Sequence, residues 1–347
     1  MVSVSEAVVQ YPHGVVSRYG IAPDIGADGA FSLDERVARL QAFGSNSLSF
    51  SIFQHGMEFF DARDLGFVAY KKQWGTRFVL SEPVCRESAK GELIDRFLTV
   101  HPNAVFVQIS ETTTRALHEQ HGFYGAQLGI ETDIELATWT IRGKKKQVLR
   151  TALNHARRQG ITIREGHGDP QEDALTREWL RTRKANHSEI GFLIRPKELD
   201  CTEGVRRFYA YQGTRLIGFI FFDPVYENHR LIGYVPNISR FCRDFKQGIF
   251  YCLMVHAIQT FTAEGIRNLH LGLSPAVVDD TPKEFESAIL KKLIRFTYAH
   301  GNGLYNFKGL HFTKSRFHGR VRNVYCAHRH RLPLKNFICM FKICNVI

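Results

Sequence analysis

The chain has 347 residues, of which 44% are hydrophobic and 23% charged, a composition typical of a folded globular protein that excludes a disordered one. No apolar run reaches the length of a membrane span, and the first residues lack the basic-then-apolar layout of a signal peptide. The formal net charge is +12, and the whole excess lies after Glu286, where twelve basic and no acidic residues occur. This polarity points to a phosphate-rich partner.

The seven cysteines are scattered, odd in number and never arranged as a CxxC pair. Such a pattern argues against a disulfide framework and against a zinc site, and it favours a reducing compartment. We therefore expect a cytoplasmic protein that uses no metal.

The first half of the chain alternates between helix and strand patterns. Residues 32–43 predict a helix, because Ser32 is a suitable N-cap and Glu35 follows three residues later. Further strands are predicted at 46–53, 66–70, 77–80 and 104–110, and further helices at 92–98 and 112–120. The pattern predicts an α/β fold of the α+β type, with mixed central sheets flanked by helices.

Residues 143–160 form the most strongly basic segment near the middle of the chain. Their apolar residues share one helical stripe, Lys146 and Arg150 lie beside that stripe, and Gly160 suits the C′ position. Residues 142–160 include seven Lys or Arg residues and no Asp or Glu. The segment predicts a helix that faces a polyanion, with an ordinary solvated helix face as the alternative.

Beyond this helix the same kinds of element recur. Strands are predicted at 161–165, 205–211, 216–222, 230–235, 269–273 and 323–327, and helices at 173–186, 250–262 and 285–300. The segment GTRFVL, which follows the Ala-Tyr pair at 69–70, has a counterpart in GTRLIGFIFF after the Ala-Tyr pair at 210–211. A helix ending at His121 likewise matches one ending at His300. These matches predict two copies of one α/β unit.

The repeat suggests a division of the chain into three parts. We expect a first domain at residues 1–140 and a second at residues 141–331, opened by the basic helix. Residues 332–347 form an amphipathic tail with Lys335 and Lys342 beside apolar residues. The tail is too short to span a bilayer, and it suits either a helix lying in the membrane interface or a helix packed on the second domain.

The order of these segments resembles the catalytic region of phosphatidylglycerol lysyltransferases, which are aminoacyl-tRNA-dependent transferases of the multiple-peptide-resistance type. The resemblance covers roughly residues 40–330 and is carried by a series of segments in matching order, namely GKKKQVLRTALNHARRQG, Trp179 with Glu189, GTRLIGFIFFDP, NISR, LHLGLSP and FKGLHFTKSRF. It implies two tandem GNAT-like folds and the transfer of an amino acid from charged tRNA to a lipid or small-molecule hydroxyl or amine, without a metal or other cofactor. The family's membrane-embedded flippase region has no match in this sequence.

The resemblance also implies catalytic residues. Arg240 matches the arginine of the family's Asp-Leu-Met-Arg segment, whereas Asn237 replaces the aspartate of that segment and removes a carboxylate. Lys314 matches a late lysine that would neutralise charge near the scissile ester, and Glu189 matches a glutamate after the tryptophan-bearing helix. The alternatives are that Arg240 is a salt-bridge partner, Lys314 a solvated charge and Glu189 a surface residue.

Basic residues in two segments are the candidates for binding tRNA phosphates. They are Lys144, Lys145, Lys146, Arg150, Arg157, Arg158, Arg316 and Arg320. The expected partners are charged tRNA and an anionic lipid or small-molecule acceptor, with peripheral contact to the inner face of the membrane and no DNA. His328 and His330 are read as phosphate contacts or surface residues rather than metal ligands.

Two other functions remain open from the sequence. An acyl-CoA-dependent N-acyltransferase of the same fold would need a glycine-rich pyrophosphate turn, but the matching segment RDFKQGIFY has only Gly248. A non-catalytic RNA- or membrane-binding module would use the basic C-terminal region alone. The absence of GxSxG, catalytic Cys–His and Walker signatures disfavours a covalent hydrolase or a kinase.

Overall fold

The computed structural model describes residues 24–25, 29–182, 189–243, 246–300 and 307–345. The first half contains β1 (Asp24–Ile25), α1 (Leu33–Phe43), β2 (Glu58–Ala62), β3 (Gly66–Gln73), β4 (Thr76–Leu80), β5 (Val84–Cys85), α2 (Lys90–Val100), β6 (Val105–Ile109), α3 (Glu111–His121) and β7 (Tyr124–Glu135). The second half contains α4 (Gln147–Arg158), β8 (Ile161–Glu165), α5 (Glu172–Arg181), β9 (Arg206–Gln212), β10 (Arg215–Glu227), β11 (Arg230–Phe241), α6 (Lys246–Ala263), β12 (Asn268–Pro275), α7 (Ala288–His300), α8 (Phe307–Ser315), β13 (Arg320–His328) and α9 (Leu334–Ile343). The predicted class, a mixed sheet flanked by helices, is confirmed.

Local sequence signals explain how helix α1 begins. The Ser32 hydroxyl accepts a hydrogen bond from the Glu35 amide at 3.2 Å, and the Glu35 carboxylate accepts one from the Ser32 amide at 2.7 Å. This reciprocal pair is the predicted capping box.

The strand predicted at residues 46–53 is wrong. Residues Ser49–Phe53 form a 3-10 helix instead, and all five are buried. The Asn46 side chain accepts a hydrogen bond from the Leu48 amide, and the Ser49 hydroxyl accepts one from the Asn46 amide. These side chains take up backbone donors that a strand would have paired with a neighbour, so the segment turns.

One continuous sheet joins the two halves. Its strand order is β1-β2-β3-β4-β6-β13-β7-β12-β11-β10-β9-β8. Counted inward from the two edges, β1, β2, β3, β4 and β6 of the first half correspond to β8, β9, β10, β11 and β12 of the second. In each half, three antiparallel strands lead through a helix to a parallel fourth strand, β6 in the first half and β12 in the second. The last strands are exchanged, because β13 pairs with β6 while β7 pairs with β12. The sheet is therefore a tandem repeat whose halves share their central strands.

This symmetry corrects the alignment of the two copies predicted from sequence. The Ala-Tyr pair at 69–70 lies on β3, whereas the pair at 210–211 lies on β9, which occupies the position of β2. The two GTR turns therefore belong to hairpins at different places in the repeat. The first turn joins β3 to β4, whereas the second joins β9 to β10, which occupy the positions of β2 and β3. The match between the helices ending at His121 and His300 fits the symmetry, since α3 and α7 each follow the parallel fourth strand.

The basic segment begins differently from the prediction. Residues Lys144–Lys146 form a 3-10 turn, and the α-helix runs from Gln147 to Arg158. Leu149, Ala152 and Ala156 are buried in the core of the second half and Leu153 packs against it, which confirms most of the apolar stripe, whereas Val148 is 40% exposed. Gly160 has a φ of +64°, as the left-handed residue after a helix requires.

Register irregularities occur on four of the strands around the centre of the sheet. They fall at Gln108 on β6, Leu128 on β7, Asn237 on β11 and Gly272 on β12. Gly272 and Gln108 occupy corresponding places in the two halves, and both have positive φ, +70° and +60°. Glycine adopts this conformation freely, whereas a glutamine there costs about 1–3 kcal/mol. Such bulges redirect side chains, and all four residues line one cavity.

Candidate active site in a cavity across the sheet

The cavity lies over the centre of the sheet and has a volume of about 390 Å³. Its lining residues come from β6, β13, β7, β12 and β11, so it crosses four strand spacings, or about 19 Å. Helices α5, α6, α7, α8 and α9 supply the remaining walls. Most lining side chains are apolar, including Leu128, Phe250, Leu271, Phe337 and Met340. A long cavity of this kind suits a ligand with both an apolar and a polar part.

Arg240 and Glu189, both predicted as catalytic, are brought together at one end of the cavity. Arg240 Nη2 donates to Glu189 Oε1 at 2.6 Å, and the guanidinium lies 4.0 Å from the centre of the Trp179 ring. The Arg240 side chain is only 6% exposed. The ion pair and the ring hold the guanidinium in one orientation, so Arg240 is both a salt-bridge partner and a fixed cation in the cavity wall.

Asn237 occupies the bulge on β11 and also lines the cavity. Its Nδ2 donates to Asp223 Oδ2 at 2.8 Å and to Ser51 Oγ at 2.9 Å. Asp223 is fully buried and accepts two hydrogen bonds from the buried Arg195. The amide thus completes a buried network, where a second carboxylate would face Asp223 at close range.

Lys314 reaches the cavity from α8. Its Nζ donates to the Leu273 carbonyl at 2.7 Å. Lys314 Nζ lies next to Gly272, within van der Waals distance of the position a Cβ atom would take there. Burial lowers the pKa of Lys314 to about 7, against the smaller opposing effect of Glu131. Both the ammonium and the amine form of Lys314 are therefore populated near neutral pH.

A second concave region, a surface groove of about 820 Å³, gathers several of the predicted tRNA-binding residues. Lys144 and Lys145 line it from the 3-10 turn and Arg320 lines it from the start of β13, and all three are exposed. Asp133 also lines the groove, but it is paired with His270 at 2.7 Å and Arg322 at 3.4 Å. Glu135 also lines the groove as an exposed carboxylate, so the groove has exposed charges of both signs, with the positive ones at Lys144, Lys145 and Arg320.

Lys146 departs from the prediction that it contacts phosphate at the surface. It is 8% exposed, its Nζ donates to the Phe317 carbonyl, and it lies 4.2 Å from the centre of the Trp139 ring. Burial lowers its pKa to about 8. Trp139 Nε1 donates to the same carbonyl, and the Phe317 side chain lines the cavity. Lys146 thus belongs to the wall between groove and cavity.

The other predicted tRNA-binding residues lie outside the groove lining. Arg150 Nη1 donates to the carbonyls of Ile141 and Gly143, so it braces the turn before α4. Arg157 and Arg158 are exposed at the far end of that helix. Arg316 is half-buried, with its guanidinium 3.7 Å from the centre of the Phe312 ring.

Some cavity residues were not predicted from the sequence. Trp179 was noted only as part of the resemblance, and the Asp223–Arg195 pair was missed. Aspartate in the apolar run FIFFDP was the available signal, because a charge within a buried strand needs a partner. Its partner lies 28 positions earlier in the chain, a separation that no local pattern reveals.

Within the described parts of the chain, no three His, Cys, Asp or Glu side chains are grouped so as to hold a metal ion. No helix in those same parts is long and apolar enough to cross a membrane.

The fold is a tandem α/β sheet with one cavity across its centre, in which Arg240 and Lys314 lie. The family described as "Phosphatidylglycerol lysyltransferase, C-terminal" matches residues 37–328, and the chain belongs to that family. The phosphatidylglycerol lysyltransferase of Bacillus subtilis strain 168 is 25% identical over 325 residues, covering 89% of this chain and 37% of the relative. That of Staphylococcus aureus strain MRSA252 is 23% identical over 298 residues, covering 82% and 34%. The chain therefore spans about a third of the length of these relatives.

Two solved structures share the fold. L-PGS from Bacillus licheniformis has a TM-score of 0.73 at 21% identity, with 90% of this chain and 97% of that one covered. The C-terminal domain of a putative lysylphosphatidylglycerol synthetase from Agrobacterium fabrum has a TM-score of 0.72 at 19% identity, with 91% and 99% covered.

Proposed function

We propose that this chain transfers an aminoacyl group from charged tRNA to a hydroxyl group of an anionic lipid, with phosphatidylglycerol as the expected acceptor. The observation that carries the proposal is the convergence of Arg240, Asn237 and Lys314 on one apolar cavity. Membership of the lysyltransferase family supports the same reaction class. The apolar walls suit the acyl part of a lipid. The cations Arg240 and Lys314 suit the lipid phosphate and the ester that reacts.

The chemistry is an ester exchange. The acceptor hydroxyl attacks the carbonyl carbon of the aminoacyl ester, its proton passes to the departing tRNA ribose oxygen, and a new ester forms as the old one breaks. An aminoacyl ester is already activated, so the protein's tasks are to align the two molecules and to stabilise the oxyanion. Lys314 as an ammonium group supplies the positive charge for that oxyanion, and Arg240 holds an anionic group of the substrate.

The groove gives the tRNA a route to the cavity. Lys144, Lys145 and Arg320 are placed to bind phosphates of the single-stranded acceptor end. Trp139 and Lys146 line the groove, and both donate to the carbonyl of Phe317, whose side chain lines the cavity. The terminal ribose of a tRNA bound in the groove would therefore lie close to the cavity, where its aminoacyl ester would react.

The proposal is tested by measuring which acyl donor, aminoacylated tRNA or acetyl-CoA, the chain uses. The purified chain is supplied with phosphatidylglycerol vesicles and either aminoacylated tRNA or acetyl-CoA, and the lipid products are analysed by mass spectrometry. We expect aminoacyl-lipid from charged tRNA and no acylated product from acetyl-CoA. An O-acetylated lipid from acetyl-CoA alone would favour an acyl-CoA-dependent acyltransferase, and product from neither donor would contradict the proposal.

A further inference from the structure

A buried glutamine in the first half of the chain faces the same cavity. Gln108 lies at the bulge of β6, where two residues, Val107 and Ile109, pair with Cys326 and Tyr325 of β13 and leave Gln108 between them. Its side chain is fully buried, and its φ of +60° is unusual for a residue other than glycine. The corresponding bulge in the second half is occupied by Gly272.

A network of hydrogen bonds fixes the orientation of the Gln108 amide. Its Nε2 donates to Glu131 Oε1, which also accepts from the Ser47 hydroxyl. The other carboxylate oxygen, Oε2, accepts from Arg322 Nη2 at 2.6 Å and from Arg322 Nε at 3.0 Å. Because a carboxylate can only accept, the amide nitrogen must face Glu131, and the amide oxygen must face away from it.

The amide oxygen is left for a ligand. Gln108 Oε1 is buried and has no hydrogen-bond partner within the described residues, although the residue lines the cavity. Buried acceptors in native proteins are nearly always paired. A strained backbone that holds an unpaired acceptor in the wall of a cavity favours a binding role for the residue over a packing role.

The network that holds the Gln108 side chain reaches the neighbourhood of Lys314. Glu131 pairs with Leu273 across β7 and β12, and the Leu273 carbonyl holds Lys314 Nζ. Opposed residues in antiparallel strands have Cα atoms about 5 Å apart, so Glu131 connects Gln108 to the neighbourhood of Lys314. The charge of Glu131 is balanced by Arg322, which makes a neutral donor group a better fit here than a cation.

His328 presents a second acceptor to the same cavity. Its Nδ1 is 2.7 Å from the His330 carbonyl, which can only accept, so Nδ1 carries the proton when the ring is neutral. Burial lowers the pKa of His328 to about 4, which keeps the ring neutral at pH 7. Its Nε2 is then a bare acceptor, without a hydrogen-bond partner in the described structure. The cavity thus presents two neutral acceptors, which match a ligand that carries hydroxyl groups.

We propose that Gln108 is a substrate-binding residue, whose amide oxygen accepts a hydrogen bond from a hydroxyl group of the glycerol headgroup of the lipid. The assignment rests on the proposed function for the identity of that lipid. It makes Gln108 a determinant of specificity, because a lipid without headgroup hydroxyls would leave the buried amide oxygen unpaired.

Two short-chain lipids test this role in solution. Dihexanoyl phosphatidylglycerol and dihexanoyl phosphatidylethanol carry the same singly charged phosphodiester and differ in the headgroup hydroxyls. Calorimetry with the full chain should show tighter binding of the glycerol lipid. Gln108→Met should weaken that binding by about five- to tenfold, the value of a typical hydrogen bond, and leave phosphatidylethanol binding unchanged.

Ser47→Ala is the matched control. It removes a different hydrogen bond to Glu131 and leaves the Gln108 amide in place, so it should keep the preference for the glycerol lipid. Gln108→Gly suits the positive φ, folds without backbone strain and should lose the preference as Gln108→Met does. Equal effects of the Gln108 and Ser47 variants on both lipids would overturn the assignment, because they would reduce Gln108 to a structural partner of Glu131.

The unsubstituted chain separates this inference from the proposed function. Equal affinity for the two lipids would overturn the hydroxyl contact and leave a lipid acceptor in place. Binding of neither lipid would overturn both the contact and the lipid acceptor.

Discussion

At the scale of single residues, the cavity contains one cation whose charge does not change with pH and one whose charge does. Arg240 keeps its charge at any physiological pH and is held by Glu189 and Trp179. Lys314 has a pKa of about 7 because burial disfavours its charged form. The two side chains therefore respond differently to pH, and this difference separates their roles.

Lys314 should give the transfer reaction a pH dependence. If its ammonium form stabilises the oxyanion, the single-turnover rate should fall as pH rises from 6 to 8, through the pKa of about 7. Lys314→Arg keeps the charge over this range. The rate of this variant should therefore change less with pH than that of the unsubstituted chain, even where it is lower at pH 6. A rate that rises with pH in the unsubstituted chain and stays flat in Lys314→Arg would assign the lysine the role of base instead.

Asn237→Asp should destabilise the fold in a pH-dependent way. The new carboxylate would replace a donor that lies 2.8 Å from Asp223 Oδ2, so the pKa of one of the two carboxyls should rise above its unfolded value. The unfolded state then binds fewer protons than the folded state above pH 4, and stability falls as pH increases. We expect a loss of about 2 kcal/mol at pH 7 that shrinks toward pH 4.

Asn237→Leu is the control for this change, since it removes the same hydrogen bonds without adding charge. Its loss of stability in thermal melts should be independent of pH between 4 and 8. The same pH-independent loss in Asn237→Asp would show that the two carboxylates do not interact.

At the scale of elements, the 3-10 turn at Lys144–Lys146 and the C-terminal helix α9 are the candidates for contact with tRNA and with a membrane. The turn exposes two lysines to the groove and buries the third. Helix α9 buries Cys339 and Ile343 in a core with β4 and β6, and it exposes Leu334 and Ile338 at 54% and 46%. Each element therefore packs one set of side chains against the protein and exposes another set that a partner could contact.

Removing the exposed charges of the groove should weaken tRNA binding and its salt dependence. The triple change of Lys144, Lys145 and Arg320 to Ala should lower the slope of log affinity against log salt by about 2, at about 0.7 per contact with single-stranded nucleic acid. A matched triple change of exposed arginines elsewhere, Arg86, Arg215 and Arg230, removes the same charge and should alter the slope little. Equal slopes for the two variants would exclude the groove as the tRNA site.

The exposed face of α9 should bind anionic membranes. Leu334 and Ile338 offer apolar area, and Lys335 and Lys342 lie on the same helix, where Lys335 Nζ donates to the carbonyl of the exposed Trp74. Leu334→Ser with Ile338→Ser should reduce co-sedimentation with phosphatidylglycerol vesicles by about tenfold, because their apolar area no longer enters the interface.

Val100→Ser with Ile289→Ser is the control, since these side chains are also about half exposed and lie on α2 and α7. It should leave co-sedimentation unchanged. Equal losses in the two double variants would refute a specific role for α9. These surface changes are more informative than deletion of the tail, which would also remove buried residues of α9.

The elements show why the sequence predicts the fold better than the site. Periodicity identifies α4 and its buried stripe, and the N-cap at Ser32 marks the start of α1, because these signals are local. The burial of Lys146 depends on Trp139 and on the Phe317 carbonyl, 171 positions away. The role inferred for Gln108 depends on a bulge set by pairing with β13, which the strand pattern of residues 104–110 does not reveal.

At the scale of the whole molecule, the exchange of β7 and β13 explains where the cavity lies. Its floor is formed by β6, β13, β7, β12 and β11, so residues of both halves meet in it. Gln108 and Glu131 come from the first half, and Arg240 and Lys314 come from the second. The proposed reaction thus depends on the joined sheet rather than on either half alone.

The most direct test of this account is the single-turnover rate of aminoacyl transfer from charged tRNA to phosphatidylglycerol vesicles, measured for the unsubstituted chain, Lys314→Met and Lys308→Met. Both variants remove one lysine charge from α8, but Lys308 is exposed and lies outside the cavity lining. We expect Lys314→Met to slow transfer by about a hundredfold, the value of a lost oxyanion contact, and Lys308→Met to retain the rate. Equal rates in all three proteins, or no transfer by the unsubstituted chain, would contradict the assignment of this cavity as the aminoacyl-transfer site.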